Sequence, residues 1–119
     1  MKANELRIGN YVNYNGKDCV FGIYDIVNLH DDEDCANLTN PIPLTEEWLL
    51  KFGFGRGEMD CEFIFRDSDS MIDESLIYYT DIGVLIIDTD RDEIEINHVK
   101  YVHQLQNLYF ALTNNELTL

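Results

Sequence analysis

Apolar and polar residues alternate along "LRIGNYVNY" (6–14), where Leu6, Ile8, Val12 and Tyr14 share one face and Asn10 is the exception. Asn15-Gly16 follows. Both residues tolerate the positive φ of a type I′ turn, so a hairpin is expected there. The return strand, "DCVFGIYDIVNL" (18–29), is rich in β-branched and aromatic residues. Its face becomes ambiguous near Asp25, where a bulge or bend is expected. Two long curved strands opening a domain are how small SH3-like barrels start, an analogy of fold alone.

"HDDEDCANLTNP" (30–41) reads as a polar loop. "PIPLTEEWLLKFGF" then predicts a helix over 45–52. Thr45 is a good N-cap, and Glu46 and Glu47 fill the first turn, where the helix dipole favours anions. Leu44 and Leu49 have the spacing of a hydrophobic staple, and Gly53 stands at the αL stop. Trp48, Leu49 and Phe52 would dock this helix. After a glycine-containing turn, "GRGEMD", come "CEFIFR" (61–66) and "SLIYYT" (75–80), joined by a polar loop. "IGVLIID" (82–88) is apolar on both faces and reads as a central strand. "DEIEIN" (92–97) alternates, with Ile94 and Ile96 inward and Glu93 and Glu95 outward. Residues 61–97 therefore read as an antiparallel meander.

The last element, "NHVKYVHQLQNLYFALTNNELTL", can be capped by Asn97. On a helical projection Val99, Tyr101, Val102, Leu105, Leu108, Tyr109, Phe110 and Leu112 fill about half the circumference or more. Lys100, Gln104, Asn107 and Ala111 form the outer face. Gln106 falls inside the apolar arc and His103 on its edge. Such a helix must be heavily buried, across a sheet or in a dimer interface. The expected fold is α+β in a single domain, 1–119: an N-terminal β-hairpin, a short helix, an antiparallel β-meander and a long C-terminal helix packed on the sheet. No internal repeat, low-complexity run or linker stands out.

With 119 residues, 45% of them hydrophobic and 12% aromatic, the chain can bury a core without staples despite its charge. The net charge is −15, and residues 31–95 carry all of it: 19 acids against four bases, Lys51, Arg56, Arg66 and Arg91. Elsewhere Glu5, Asp18, Asp25 and Glu116 balance Lys2, Arg7, Lys17 and Lys100. Nucleic-acid affinity comes from Lys and Arg releasing counterions, so direct DNA or RNA binding is not expected. A basic protein partner is favoured instead, with solubility alone the simpler use of the same charge. Three cysteines, Cys19, Cys35 and Cys61, form an odd number with no CxxC pair, which points to free thiols in a reducing compartment. "MKANELRIGN" has no apolar h-region, and no apolar run approaches the ~20 residues that span a membrane. A soluble, cytoplasmic protein with no membrane contact is the expectation.

Candidate chemistry is sparse. In "IIDTDRDEIEI" (86–96), Asp88, Asp90 and Asp92 stand at i, i+2 and i+4, as a calcium loop begins. Such a loop needs Gly at its sixth position and Glu at its twelfth, and this chain has Glu93 and Val99. The stretch therefore reads as the acidic end of a hairpin, and Asp67-x-Asp69 fails similarly. His30, Asp31, Asp34 and Cys35 could ligate a transition metal, but their spacing matches no structural zinc pattern, and a solvated acidic loop is favoured. No metal or other cofactor is expected. Cys19 and Cys61 lie in predicted strands and read as small core residues. His98 and His103 are five apart and do not share a helix face. "GFGRG" (53–57) follows a helix rather than a strand and reads as a turn, and GxSxG, P-loop, GxGxxG and HExxH are lacking, so an enzyme is not expected. His103 and Gln106 read as a hydrogen-bonded buried pair that orients the helix. The sharper alternative is a pocket lined by Trp48, His103, Gln106 and Tyr109.

Three blocks carry a resemblance: "ELRIGNYVNY" near the start, "PIPLTEEWLLKFGF" in the middle and "KYVHQLQNLYFALT" near the end, together 38 of 119 residues. They are similar to a family of small uncharacterised proteins from Bacteroidetes genomes and their phages. The resemblance implies a cytoplasmic protein associated with phages or mobile elements, and it carries over no catalytic residue. Members end the last helix with Gly where this chain has Asn114, which also tolerates the αL cap. The acidic segments lie outside the matched blocks.

The leading functional expectation is a non-enzymatic module binding a basic protein through an acidic surface, in the manner of a phage-type inhibitor of a nucleic-acid-binding host factor. Its candidate residues are Asp31, Asp32, Glu33, Asp34, Asp67, Asp69, Asp73, Glu74, Asp88, Asp90, Asp92, Glu93 and Glu95. The alternatives are a small-ligand or nucleotide-binding domain with a pocket under the C-terminal helix, and a structural homodimer.

Overall fold

A computed structural model of the chain describes residues 6–22, 38–66, 75–88 and 92–117. The fold is α+β: N-terminal antiparallel strands, a five-stranded antiparallel sheet and a C-terminal helix. The chain divides into two compact units, Met1–Pro43 with Tyr101–Leu108, and Leu44–Lys100 with Tyr109–Leu119.

In the first unit, β1 (Tyr11–Tyr14), β2 (Lys17–Val20) and β3 (Thr39–Asn40) form a three-stranded sheet in the order β2-β1-β3. Tyr14 pairs with Lys17 across a turn in which Asn15 has φ 51° and Gly16 φ 84°, the expected type I′ geometry. The Asn13 side chain braces it, accepting from the Gly16 N–H at 3.0 Å and donating to Asp18 at 2.9 Å.

Two expectations fail here. The alternation from Leu6 does not run through, because Gly9 turns the chain at φ 97° before the strand begins. The Gly9 N–H donates to the Phe21 carbonyl at 2.8 Å and the Phe21 N–H to that of Asn10 at 2.7 Å. Ile8 is thereby turned outward, 54% exposed, while Asn10 is fully buried. Cys19 is not a core residue, since all four positions of β2 are exposed. The bulge near Asp25 and most of the acidic loop 30–41 lie outside the described residues.

The C-terminal helix, α2 (Val102–Thr113), runs through both units. It starts at Val102 rather than at an Asn97 cap. Tyr101 pairs with Pro43, and the Val102 N–H donates to the Ile42 carbonyl at 2.9 Å, so the chain enters α2 extended. Gln104 then reaches back to accept from the Tyr101 N–H at 3.1 Å, half of a capping box.

In the second unit, α1 (Glu46–Lys51) follows Thr45, which sits at the N-cap but makes no side-chain capping hydrogen bond. Its end is a Schellman motif: the Gly53 N–H donates to Leu50 and the Phe54 N–H to Leu49, with Gly53 at φ 98°. Trp48, Leu49, Phe52 and Phe54 are buried. The strands β4 (Gly55–Arg56), β5 (Glu62–Arg66), β6 (Ser75–Tyr79), β7 (Val84–Asp88) and β8 (Glu93–Ile96) pair in chain order. The predicted "GRGEMD" turn thus contains a strand. Arg56 pairs with Phe63, lays its guanidinium 5.6 Å from the Phe63 ring centre and forms an ion pair with Glu46.

The register puts Phe63, Tyr78 and Leu85 in one row and Phe65, Leu76, Ile87 and Ile94 in the next, on the same face. Phe63, Leu76, Tyr78, Leu85 and Ile87 are buried. Phe65 meets Phe54 at 5.2 Å and, edge-on, Tyr109 at 5.5 Å. Ile94 shares the core-side face yet is 51% exposed, because among the described residues its strand is the last of the sheet. The expectation that Ile94 packs inward is therefore corrected. Residues 97–100 are not helical: the Leu44 N–H donates to Lys100 at 3.0 Å, and the Tyr78 hydroxyl donates to the buried Val99 carbonyl at 3.2 Å. Asn114 closes α2 at φ 59°, its N–H donating to Phe110 at 2.8 Å. Among the described residues no helix is long and apolar enough to cross a membrane.

Candidate functional site

The acidic residues divide by what the structure describes. Asp31, Asp32, Glu33, Asp34, Asp67, Asp69, Asp73, Glu74 and Asp90 lie outside the described residues, as do His30 and Cys35. Asp88, Asp92, Glu93 and Glu95 lie within them, at the β7–β8 end of the sheet. Strand alternation turns Glu93 and Glu95 to the face opposite Ile94 and Ile96, as the pattern predicts. Asp88 pairs directly with Glu93, and Glu95 with Ile86, so Asp88, Glu93 and Glu95 share that outer face. Glu93 and Glu95 are exposed and Asp88 is half-buried. Neither β7 nor β8 contains a Lys or Arg. Like charges directly opposite on a sheet destabilise it by roughly 0.2–1 kcal/mol, so Asp88–Glu93 is a small local cost.

The same face carries a second polar group. The Tyr79 hydroxyl is pushed above its ordinary range by desolvation, then by the charge and hydrogen bond of Glu62, and further by Glu93. At the turn before β5, Cys61 is half-buried rather than in the core. Desolvation pushes its thiol upward, and the Asp81 carboxylate, which accepts its hydrogen bond, pushes the same way. A thiol held protonated is a poor nucleophile. Among the described residues no group of three or more His, Cys, Asp or Glu side chains is placed to hold a metal ion.

Of the candidate pocket residues, His103 and Gln106 belong to the first unit, and Trp48 and Tyr109 to the second. Gln106 is 1% exposed, and its carboxamide binds backbone: it accepts from the Tyr11 N–H at 2.9 Å and donates to the Gly9 carbonyl at 3.2 Å. Asn10 donates to Asn107 at 3.0 Å and accepts from the Arg7 N–H at 2.6 Å. The Arg7 guanidinium reaches Asn107 at 2.9 Å and the Gln106 carbonyl at 3.3 Å. Asn107 was expected on an outer face and is instead half-buried in this network. His103 is buried and stacks on Tyr101 at 6.0 Å. Trp48 packs on Phe52 at 5.8 Å with the Lys51 ammonium 5.1 Å over its ring.

The sequence pattern did not place Arg7, Asn10 and Asn107 in the network around Gln106. One signal was present: Asn10 breaks the alternation, and a polar residue at an apolar position asks for a partner. Comparison of the chain with protein-family models, with curated proteins and with solved structures finds no match.

Proposed function

We propose that this chain is a non-enzymatic protein-binding module whose acidic face engages a basic partner. The observation that carries the reading is the shared outer face of Asp88, Glu93 and Glu95, on two adjoining strands without a base. Desolvating three neighbouring carboxylates is costly unless cations meet them, and their summed field speeds the approach of a positively charged surface. The raised Cys61 thiol supports the non-enzymatic side, since a catalytic thiol requires the opposite shift. The Gln106 carboxamide holds the chain's own backbone, which supports a structural role over a ligand-binding one.

In its finer form the reading makes the acids a mimic of the phosphate backbone, occupying the groove of a nucleic-acid-binding host factor as a phage-borne inhibitor would. Affinity capture from the native host, at low and at high ionic strength, tests the proposal. The expected result is a basic protein retained at low salt, released at high salt, and lost with the triple variant Asp88→Asn, Glu93→Gln, Glu95→Gln. Retention indifferent to salt, or no specific retention, would overturn it.

A further inference from the structure

Strand β8 has β7 on one side and, among the described residues, no strand on the other. Its exposure runs Glu93, Ile94 and Glu95 exposed, then Ile96 half-buried. An open edge presents a row of backbone donors and acceptors, and proteins usually blunt such edges with Lys, Pro or a bulge. This one has acids on one face and, on the other, Ile94 at 51% exposure beside the core row.

We propose that β8 is a docking edge for an extended segment of a basic partner, which adds to the sheet as its next strand. Resting on the protein-binding reading above, it names the recognition mode. The chemistry of the occupant follows from the alternation. Main-chain hydrogen bonds supply pairing, and side chains on alternate positions supply specificity. A strand laid on β8 places every second residue against the Asp88–Glu93–Glu95 face, where Lys or Arg is matched. Its other residues lie beside Ile94 and Ile96, where β-branched apolar side chains are matched.

A second copy of β8 does not fit, because it would set Glu against Glu across the new pair. The other four-residue edge strand, β2, offers no such preference, since Lys17 and Asp18 stand side by side and Asp18 is held by Asn13. At the far edge of the large sheet, β4 has only two residues.

The test uses the intact protein and three labelled synthetic peptides of equal length, with binding read by fluorescence anisotropy. One alternates Lys with Val, one Lys with Pro, and one Glu with Val. The Lys–Pro peptide has the charge of the first but lacks the N–H of every second residue, which removes the ladder donors along one edge of the strand. Lys–Val should bind at least about tenfold more tightly than Lys–Pro, and Glu–Val should not bind. Amide exchange should slow at Glu93–Ile96 when Lys–Val is bound. In the double variant Glu93→Lys, Glu95→Lys the preference should invert, so that Glu–Val binds and Lys–Val does not. That gain of binding cannot come from misfolding. Equal binding of Lys–Val and Lys–Pro, or protection elsewhere than β8, would overturn the edge and leave the acidic-surface reading standing. No binding of either Lys peptide would overturn both. A stable dimer in light scattering that protects β8 in the free protein would also overturn the edge, in favour of self-pairing.

Discussion

Gln106 needs both ends of its carboxamide, because one backbone partner is a donor and the other an acceptor. Met has nearly the same shape and neither capacity. Gln106→Met should therefore leave the Tyr11 N–H and the Gly9 carbonyl without their partner and lower stability by about 2–3 kcal/mol. Urea unfolding of the two proteins measures this. Tyr78 carries the clearest pH dependence. Burial raises its hydroxyl above the ordinary range, and the neutral form donates to Val99. The folded state thus holds this proton more tightly than the unfolded chain. The stability it contributes is fully present below about pH 10, the unfolded value, and is lost as pH rises through the higher folded value. Tyr78→Phe should cost about 1 kcal/mol near neutrality and flatten the alkaline decline of the urea midpoint. A smaller slope should remain, because Tyr79 and Cys61 are raised as well.

Strand β8 is where an element's stability and its proposed use point in opposite directions. Reversing one charge of the Asp88–Glu93 pair turns a repulsion into an attraction, so Glu93→Lys should raise stability by roughly 0.2–1 kcal/mol. The same substitution should weaken capture of a basic partner. A variant that is both more stable and weaker in binding would separate recognition from folding; one that loses stability would contradict the register. Much of this element was legible in the chain. Period-two alternation turned Glu93 and Glu95 outward, Asn-Gly placed the hairpin, and Gly53 placed the end of α1. What pattern could not supply was pairing. That Asp88 faces Glu93, or that β8 is the outermost strand among the described residues and leaves Ile94 half in water, depends on which strands lie alongside. The start of α2 was misread for a similar reason. Asn97 is a sound cap locally, but Tyr78 binding Val99 and Leu44 binding Lys100 hold residues 97–100 out of the helix. At the other end, Gly9 at φ 97° broke an alternation that looked continuous.

For the whole molecule, a net charge of −15 means that folding gathers like charges together. Salt screens that repulsion, with a Debye length of about 10 Å at 0.1 M. Raising NaCl from low to moderate concentration should therefore increase stability against urea, which adds no ions of its own. Binding to a basic partner should move the other way over the same range. A stability that falls with added salt would mean that attractive ion pairs outweigh the net repulsion. A different whole-chain consequence follows from the buried amides. Arg7, Asn10 and Tyr11 bond Gln106 and Asn107 across 95 to 100 residues of sequence. At a synthesis rate of about 5–20 residues per second, the N-terminal turn waits roughly 5–20 seconds on the ribosome for those partners to be made. The network therefore forms only after residues 106 and 107 have been added, long after the β1–β2 hairpin is complete. A ribosome stalled before residue 106 would hold the N-terminal strands short of their native support, open to proteolysis or chaperone capture.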